Sequence, residues 1–150
     1  FIFELLNDPS FIQNIGDRNI RALDDAYAYI VNGPLASYAK NGFGLWLVAL
    51  KETNESIGMC GLIRRENLED VDIGYALLPR FWSKGYASEA AQAAKAYAKD
   101  MVGLKRLVAI VDPANEGSIR VLEKLGLRYE KMMRLSADDI DLKLFAIDFG

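Results

Sequence analysis

The chain has 150 residues, 51% hydrophobic and 26% charged, which is one domain's length with ample core material and excludes a wholly disordered polypeptide. One cysteine and no histidine exclude a disulfide framework, a cysteine-built zinc site and histidine-based triads, and no metal is expected. The balance of 18 basic and 21 acidic residues, net -3 and without a long basic run, argues against a nucleic-acid binder, although a local basic patch can still hold a phosphorylated ligand.

Phe1-Ile2-Phe3-Glu4-Leu5-Leu6 lacks the basic start and cleavage site of a signal peptide, and no apolar run approaches membrane-spanning length. A cytoplasmic location without a membrane partner is therefore expected. The run reads as the middle of a helix, so the natural sequence is expected to begin upstream of Phe1. This stub stops at Asn7-Asp8-Pro9, and a loop follows through Gly16. From about Ile20 to Lys40 the chain reads as helical, with Leu23, Ala26, Tyr27, Ile30 and Val31 on one face and an interruption at Gly33-Pro34 that gives two helices or one kinked helix. Gly44 to Lys51 and Ser56 to Arg64 read as a hairpin in which Gly58 and Gly61 mark a bulge or a close backbone approach. A third strand runs from Glu69 to Leu78 and ends at Pro79.

Ser83 to Gly85 opens a helix to about Val102, and its alanine stripe predicts tight packing on a sheet. Lys105 to Val111 is a strand. A shorter helix runs from about Glu116 to Leu125, with Asn115 as N-cap and Gly126 as C-cap. Leu127 to Leu135 and Asp141 to Phe149 read as an antiparallel pair. This order predicts an α/β or α+β domain with a mixed sheet, and nothing divides residues 1–150 into two units.

The most informative run is the junction Leu77-Leu78-Pro79-Arg80-Phe81-Trp82-Ser83-Lys84-Gly85-Tyr86-Ala87. A strand ends in a short loop that enters a long helix, which exposes unsatisfied N–H groups and the positive end of the helix dipole. Gly85 and Ala87 keep the loop open, and Arg80 and Lys84 add charge, as a pyrophosphate or phosphorylated cofactor arm requires. A plain turn satisfies the same pattern. Neither GxxxxGK[ST] nor GxGxxG is present.

Gly74-Tyr75, Pro79, Trp82-Ser83-Lys84-Gly85-Tyr86-Ala87 and Glu89-Ala90 resemble the coenzyme A-binding motif of the GNAT superfamily of N-acetyltransferases. The run from Asn115 to Leu127 resembles the second motif of that superfamily, and both are most similar to the branch of ribosomal-protein N-terminal acetyltransferases. Ser83 stands where glycine is commoner, and the family's first strand is missing. The resemblance implies an acyl-CoA N-acyltransferase fold, a mixed sheet flanked by helices. It places acetyl-coenzyme A in a cleft where two parallel strands, Asp70 to Leu78 and Lys105 to Val111, splay apart. Its pyrophosphate would meet the N–H groups of Ser83, Lys84, Gly85, Tyr86 and Ala87. Its pantetheine arm would run beside Leu77 and Leu78, with Asn115 on the far side. Homodimers are common in the family, although no residue here singles out an interface.

Acetyl transfer requires an amine to lose a proton, attack a thioester and expel a thiolate. Without histidine, the remaining bases are carboxylates, tyrosines and water. Asp72 is the first choice, because it shares a strand face with Gly74 and Ala76, which leave space above the sheet. Glu69 and Asp70 are alternatives, and all three acids can equally well solvate a strand start. The resemblance makes Ser118 the group that protonates the departing thiolate, since Leu122 occupies the place of the superfamily's usual tyrosine. A helix-start hydrogen bond is the plainer role for Ser118. A backbone N–H near Leu77 or Leu78, freed by a bulge, would stabilise the oxyanion. Cys60 reads as a buried hydrophobe, Tyr75 as packing under the sheet, Met132 and Met133 as core, and Tyr129 as a reserve acid. Trp46, Trp82, Tyr27, Tyr29 and Tyr38 suit either a cleft or a core.

The activity expected is acetyl transfer from acetyl-coenzyme A to a primary amine, either a protein N-terminus or a small amine such as a polyamine, amino acid or aminoglycoside. A non-catalytic coenzyme A-binding module is the rival from another class.

Overall fold

The computed structural model describes residues 1–150, and its first departure from expectation is at Pro9. Helix α1 (Ile2–Asn7) ends there, but Pro9 starts α2 (Pro9–Asn14) in place of a loop. Proline suits a first helical position, where its missing N–H has no intrahelical partner. Asp8 caps the new helix by accepting from the Ser10 N–H at 2.9 Å. Helix α3 (Leu23–Ile30) passes through a π turn (Val31–Leu35) into α4 (Ala36–Asn41), so Pro34 is absorbed without a break. The expected apolar face of α3 is not buried as a whole. Ala26 is buried, while Leu23 and Tyr27 are 74% and 72% exposed.

Six strands form one mixed sheet. They are β1 (Leu45–Ala49), β2 (Ser56–Ile63), β3 (Asp72–Leu77), β4 (Arg106–Val111), β5 (Arg128–Met133) and β6 (Leu142–Asp148), ordered β1-β2-β3-β4-β6-β5. Only β3 and β4 are parallel, joined through α5 (Tyr86–Tyr97). Helix α6 (Glu116–Lys124) links β4 to β5. No helix is long and apolar enough to cross a membrane.

The core lies on both faces, as strand alternation demands. Cys60 and Leu62 of β2 join Ala91, Ala94 and Ala98 of the alanine stripe and Leu122 of α6. Ile57 and Met59, of the opposite parity, join Leu5, Leu6 and Phe11 of the first helices. The methyl-sized stripe lets α5 lie close against the sheet, which fixes where its N-terminus points. Met101, placed at the end of that stripe by spacing, is 74% exposed. Met132 is also exposed, because β5 is an edge strand, and Met133 is half-buried.

Gly61 marks a close backbone approach. A Cβ there would lie 2.0 Å from the Gly44 carbonyl oxygen, which is backbone and cannot swing away. Gly117, in the first turn of α6, has nothing nearer than 4.0 Å. Gly61→Ala is therefore expected to lower unfolding free energy by about 1–3 kcal/mol or more through overpacking. Gly117→Ala is expected to raise it by about 0.5–1 kcal/mol through helix propensity. Urea unfolding midpoints check both signs.

Candidate active site

The site begins where β3 and β4 stop being partners. They share a single register pair, Asp72 with Val108, and the Val108 N–H donates to the Val71 carbonyl at 3.1 Å. On its other side β3 pairs with β2 without a register shift, from Asp72 to Leu77. The Leu78 N–H donates to the Ile57 carbonyl at 2.9 Å, so alternation turns the main-chain groups of Tyr75 and Leu77 away from β2 and into the opening. The Trp82 indole N–H closes on the Leu77 carbonyl at 2.8 Å. The N–H groups of Tyr75 and Leu77 are open because β4 departs; no bulge is needed. Leu78 has its N–H engaged and its side chain in the core, so the donor near the strand end is Leu77.

The mouth of α5 adjoins this opening. Ser83 (φ 60°) and Gly85 (φ 84°) both take left-handed backbone conformations. Glycine does so freely, whereas serine does so at some cost. The loop thereby aims its donors outward. The N–H groups of Ser83, Lys84, Gly85, Ala87 and Ser88 have no acceptor within the chain, and no side chain caps the helix. Orphan donors next to a helix dipole suit an anion.

One cavity of about 720 Å³ connects these parts, a size suited to a ligand site. Asp72, Ser118, Leu77, Ser83, Gly85, Ala87 and Asn115 line it. Arg80, Lys84, Tyr86, Leu78 and Glu69 do not. Arg80 turns to Glu4 and Glu55 at 3.8 Å and lies over the Phe81 ring, and Tyr86 packs beside that ring. Glu69 is exposed, and Asp70 pairs with Arg106 at 3.1 Å. The cations that line the cavity are Arg18, Arg65, Arg120 and Lys124. Sequence reading singled out none of them, because each lies far along the chain from the junction.

Asp72 is 2% exposed and accepts from Arg65 Nε at 3.1 Å. Burial pushes its carboxyl up from an ordinary 3.8 to about 6, and the Arg65 guanidinium opposes that rise. Ser118 is held twice. Its N–H donates to the Asn115 side chain at 3.2 Å, and its Oγ meets the Tyr75 hydroxyl at 2.6 Å. The helix-start bond is thus made by the backbone, and the serine hydroxyl remains in the cavity. Tyr75 therefore does more than pack under the sheet. Alternation alone puts Tyr75 on the face opposite Asp72, and no local pattern reveals a partner 43 residues away on α6. Burial raises its phenol to about 12, so it keeps its proton.

Tyr29 and Trp82 line the cavity. Trp46 instead stacks on Tyr38 and meets Tyr97 edge-on at 5.1 Å, and Tyr27 faces solvent. Tyr129 packs on Phe145 outside the cavity. Cys60 is buried, with its thiol raised to about 12.

A family model described as an acetyltransferase (GNAT) domain matches residues 1–128. The chain is 40% identical over 95 residues to the Bacillus subtilis (strain 168) protein YkkB; this stretch is 62% of the chain and 55%, or about half, of YkkB. Among solved structures, the acetyltransferase (GNAT family) from Bacillus anthracis is similar at 26% identity and a TM-score of 0.79, covering 98% of this chain and 86% of that one. RimL, a ribosomal L7/L12 alpha-N-protein acetyltransferase in complex with coenzyme A, shares the fold at 18% identity and a TM-score of 0.83, covering 97% of this chain and 85% of its own.

The raised Asp72 carboxyl has a consequence for stability. Between an ordinary 3.8 and about 6, the folded chain holds a proton that the unfolded chain releases. Stability contributed by this group therefore rises as pH falls through that window. Wild type is expected to gain on Asp72→Asn between pH 7 and pH 4, most steeply near about pH 5, midway between the unfolded and folded values. Arg65→Gln is expected to move this gain to higher pH. Urea melts across the range check both, and a pH-independent difference would contradict the assignment.

Proposed function

The chain belongs to the acetyltransferase (GNAT) family and has its acyl-coenzyme A N-acyltransferase fold, and on that premise we propose that residues 1–150 act as one domain moving an acetyl group from acetyl-coenzyme A to a primary amine. The observation that carries this reading is the pairing of an open strand edge with a helix mouth of orphan donors in one cavity. Both features fit the coenzyme. The N–H groups of Ser83, Lys84, Gly85 and Ala87 would hold its diphosphate, and those of Tyr75 and Leu77 would hold its amide-bearing arm as a neighbouring strand would. Asn115 lines the same cavity.

Bound acetyl-coenzyme A supplies the thioester that the amine attacks and the thiolate that leaves. The chain's own residues move the protons. Asp72 is ionised at neutral pH, and its raised carboxyl is a better base than an ordinary aspartate. It is deeply buried, so it takes the amine's proton through a water in the cavity. Ser118 gives the departing sulfur a proton from Oγ and regains one from water in the cavity, while the Tyr75 hydroxyl, 2.6 Å away, keeps its own proton and orients the serine. The open N–H groups on β3 are the donors available to a carbonyl oxygen gaining negative charge.

The acceptor reading follows the ribosomal-protein branch, in which the similar protein RimL is described as an alpha-N-protein acetyltransferase. A terminal amine has an unperturbed pKa of about 8, within reach of a modest base, whereas a lysine or polyamine amine lies near about 10. A protein N-terminal amine is accordingly the first acceptor class, and small amines are the second.

Thiol release from acetyl-coenzyme A should be measured against a peptide and amine panel. Asp72→Asn and Ser118→Ala are each expected to lower kcat by about 100-fold or more while coenzyme affinity stays within about threefold. The acid limb of kcat/KM is expected near about pH 6 and absent in Asp72→Asn. Coenzyme binding without turnover on any acceptor would instead favour a non-catalytic coenzyme sensor.

A further inference from the structure

The cavity differs in charge from the chain as a whole. The chain carries a net -3, yet its cavity is lined by four cations, Arg18, Arg65, Arg120 and Lys124, against two carboxylates, Asp72 and Asp112. Arg120 and Lys124 lie on α6, the helix that also carries Ser118. Arg18 and Arg65 stand apart from them, on the loop after α2 and the loop after β2. Both act on one neighbour, since the two guanidiniums oppose the rise that burial gives the Tyr29 phenol. Tyr29, Arg18, Arg65 and Asp72 all line this one cavity, and Arg65 touches Asp72 at 3.1 Å.

These cations have donors to spare. Arg65 gives only its Nε to Asp72, and its two terminal nitrogens have no partner in the chain. Arg18 has none at any nitrogen, because Asp17 beside it is engaged by Arg21 at 2.6 Å and by the Asn19 N–H at 2.8 Å. The Tyr29 hydroxyl is also unpartnered. A polyamine entering here would bring positive charge towards two guanidiniums that only one buried carboxylate offsets. A carboxylate would find planar, forked donors that match its geometry.

We infer that the acceptor of this domain carries a carboxylate close to its reacting amine, held by Arg18 and the free edge of Arg65 while the amine faces Asp72. This rests on the acetyl-transfer reading above and narrows its acceptor class. Two sources present that chemistry: a peptide N-terminus followed by an acidic residue, and a small amino acid. In either case Arg65 serves two groups, fixing Asp72 through Nε and the acceptor through its terminal nitrogens. The acidic balance of the chain as a whole does not carry over to the cavity, whose lining holds only two carboxylates.

The test uses acceptor pairs that differ only in charge. Ser-Glu-Ala-amide against Ser-Gln-Ala-amide reports on the peptide source. 4-Aminobutyrate against 4-aminobutyramide reports on the small-molecule source, and spermidine is the cationic comparison. The acidic member of at least one pair is expected to have a kcat/KM higher by about tenfold or more, chiefly through KM. Arg18→Gln is expected to bring that pair to within about twofold, and Arg18→Lys to restore part of the preference. Titration calorimetry of the same pairs gives a readout independent of turnover, with the acidic member binding more tightly and losing that advantage in Arg18→Gln. Equal kcat/KM within both pairs, a preference for spermidine, or an acid preference that survives Arg18→Gln would overturn the inference while leaving acetyl transfer intact. Absent turnover with the acid-selective binding preserved would instead overturn acetyl transfer and leave the carboxylate site standing.

Discussion

Everything at the site depends on two parallel strands that part after one shared pair. β3 is held along its length by β2, and β4 is held by β6 from Arg106 to Val111, so each is anchored from its outer side. Neither needs the other beyond Asp72 and Val108. The separation leaves main-chain donors of Tyr75 and Leu77 facing a cavity in the middle of the fold. Buried backbone groups are almost always paired, so an unpaired edge there persists only if water or a ligand reaches it. The alanine-rich packing of α5 places a second set of unpaired donors at the end of the same opening. A strand edge and a helix mouth, each ordinary alone, together make a site for a long ligand with an amide-bearing arm and an anionic end.

Electrostatics divides the molecule in the same way. Outside the cavity, arginines are drawn into carboxylate clusters. Arg106 meets Asp70, Glu130 and Asp148, tying β4, β5 and β6 together. Arg80 turns to two glutamates, and Arg134 to Asp141. Inside, cations outnumber carboxylates, and the one deeply buried charge, Asp72, is kept titratable by burial and prevented from rising further by Arg65. The same arginine therefore links the readiness of the base to the end of the cavity that faces it.

Much of this was legible in the residues. Alanine spacing gave away the α5 contact with the sheet, Gly58 and Gly61 the close strand approach, and Asn115 the start of α6. Local rules failed where two local roles compete. Pro9 suits a helix start as well as a stop, and at Pro34, where two helices or one irregular helix both fit, a π turn keeps the helix continuous. The stripe of Leu23 and Tyr27 has helical spacing, yet α3 is anchored through Ala26, a residue too small to dominate a pattern. At the site, strand parity points to Asp72 and motif order to Ser118, and both line the cavity. Nearness along the chain points to the side-chain charges of Arg80 and Lys84, but charge acts through space, and the loops bearing Arg18 and Arg65 bring theirs to the cavity only after the sheet is assembled. Tyr75 was underrated for the same reason, since its partner lies 43 residues away.

The most direct measurement is amide hydrogen exchange of the chain with and without coenzyme A. The amides of Leu77, Ser83, Lys84, Gly85 and Ala87 are expected to exchange fast in the free chain, where they have no acceptor, and to slow by about tenfold or more when the coenzyme is added. Slow exchange of these amides in the free chain, or protection that the coenzyme confers only elsewhere, would contradict the account.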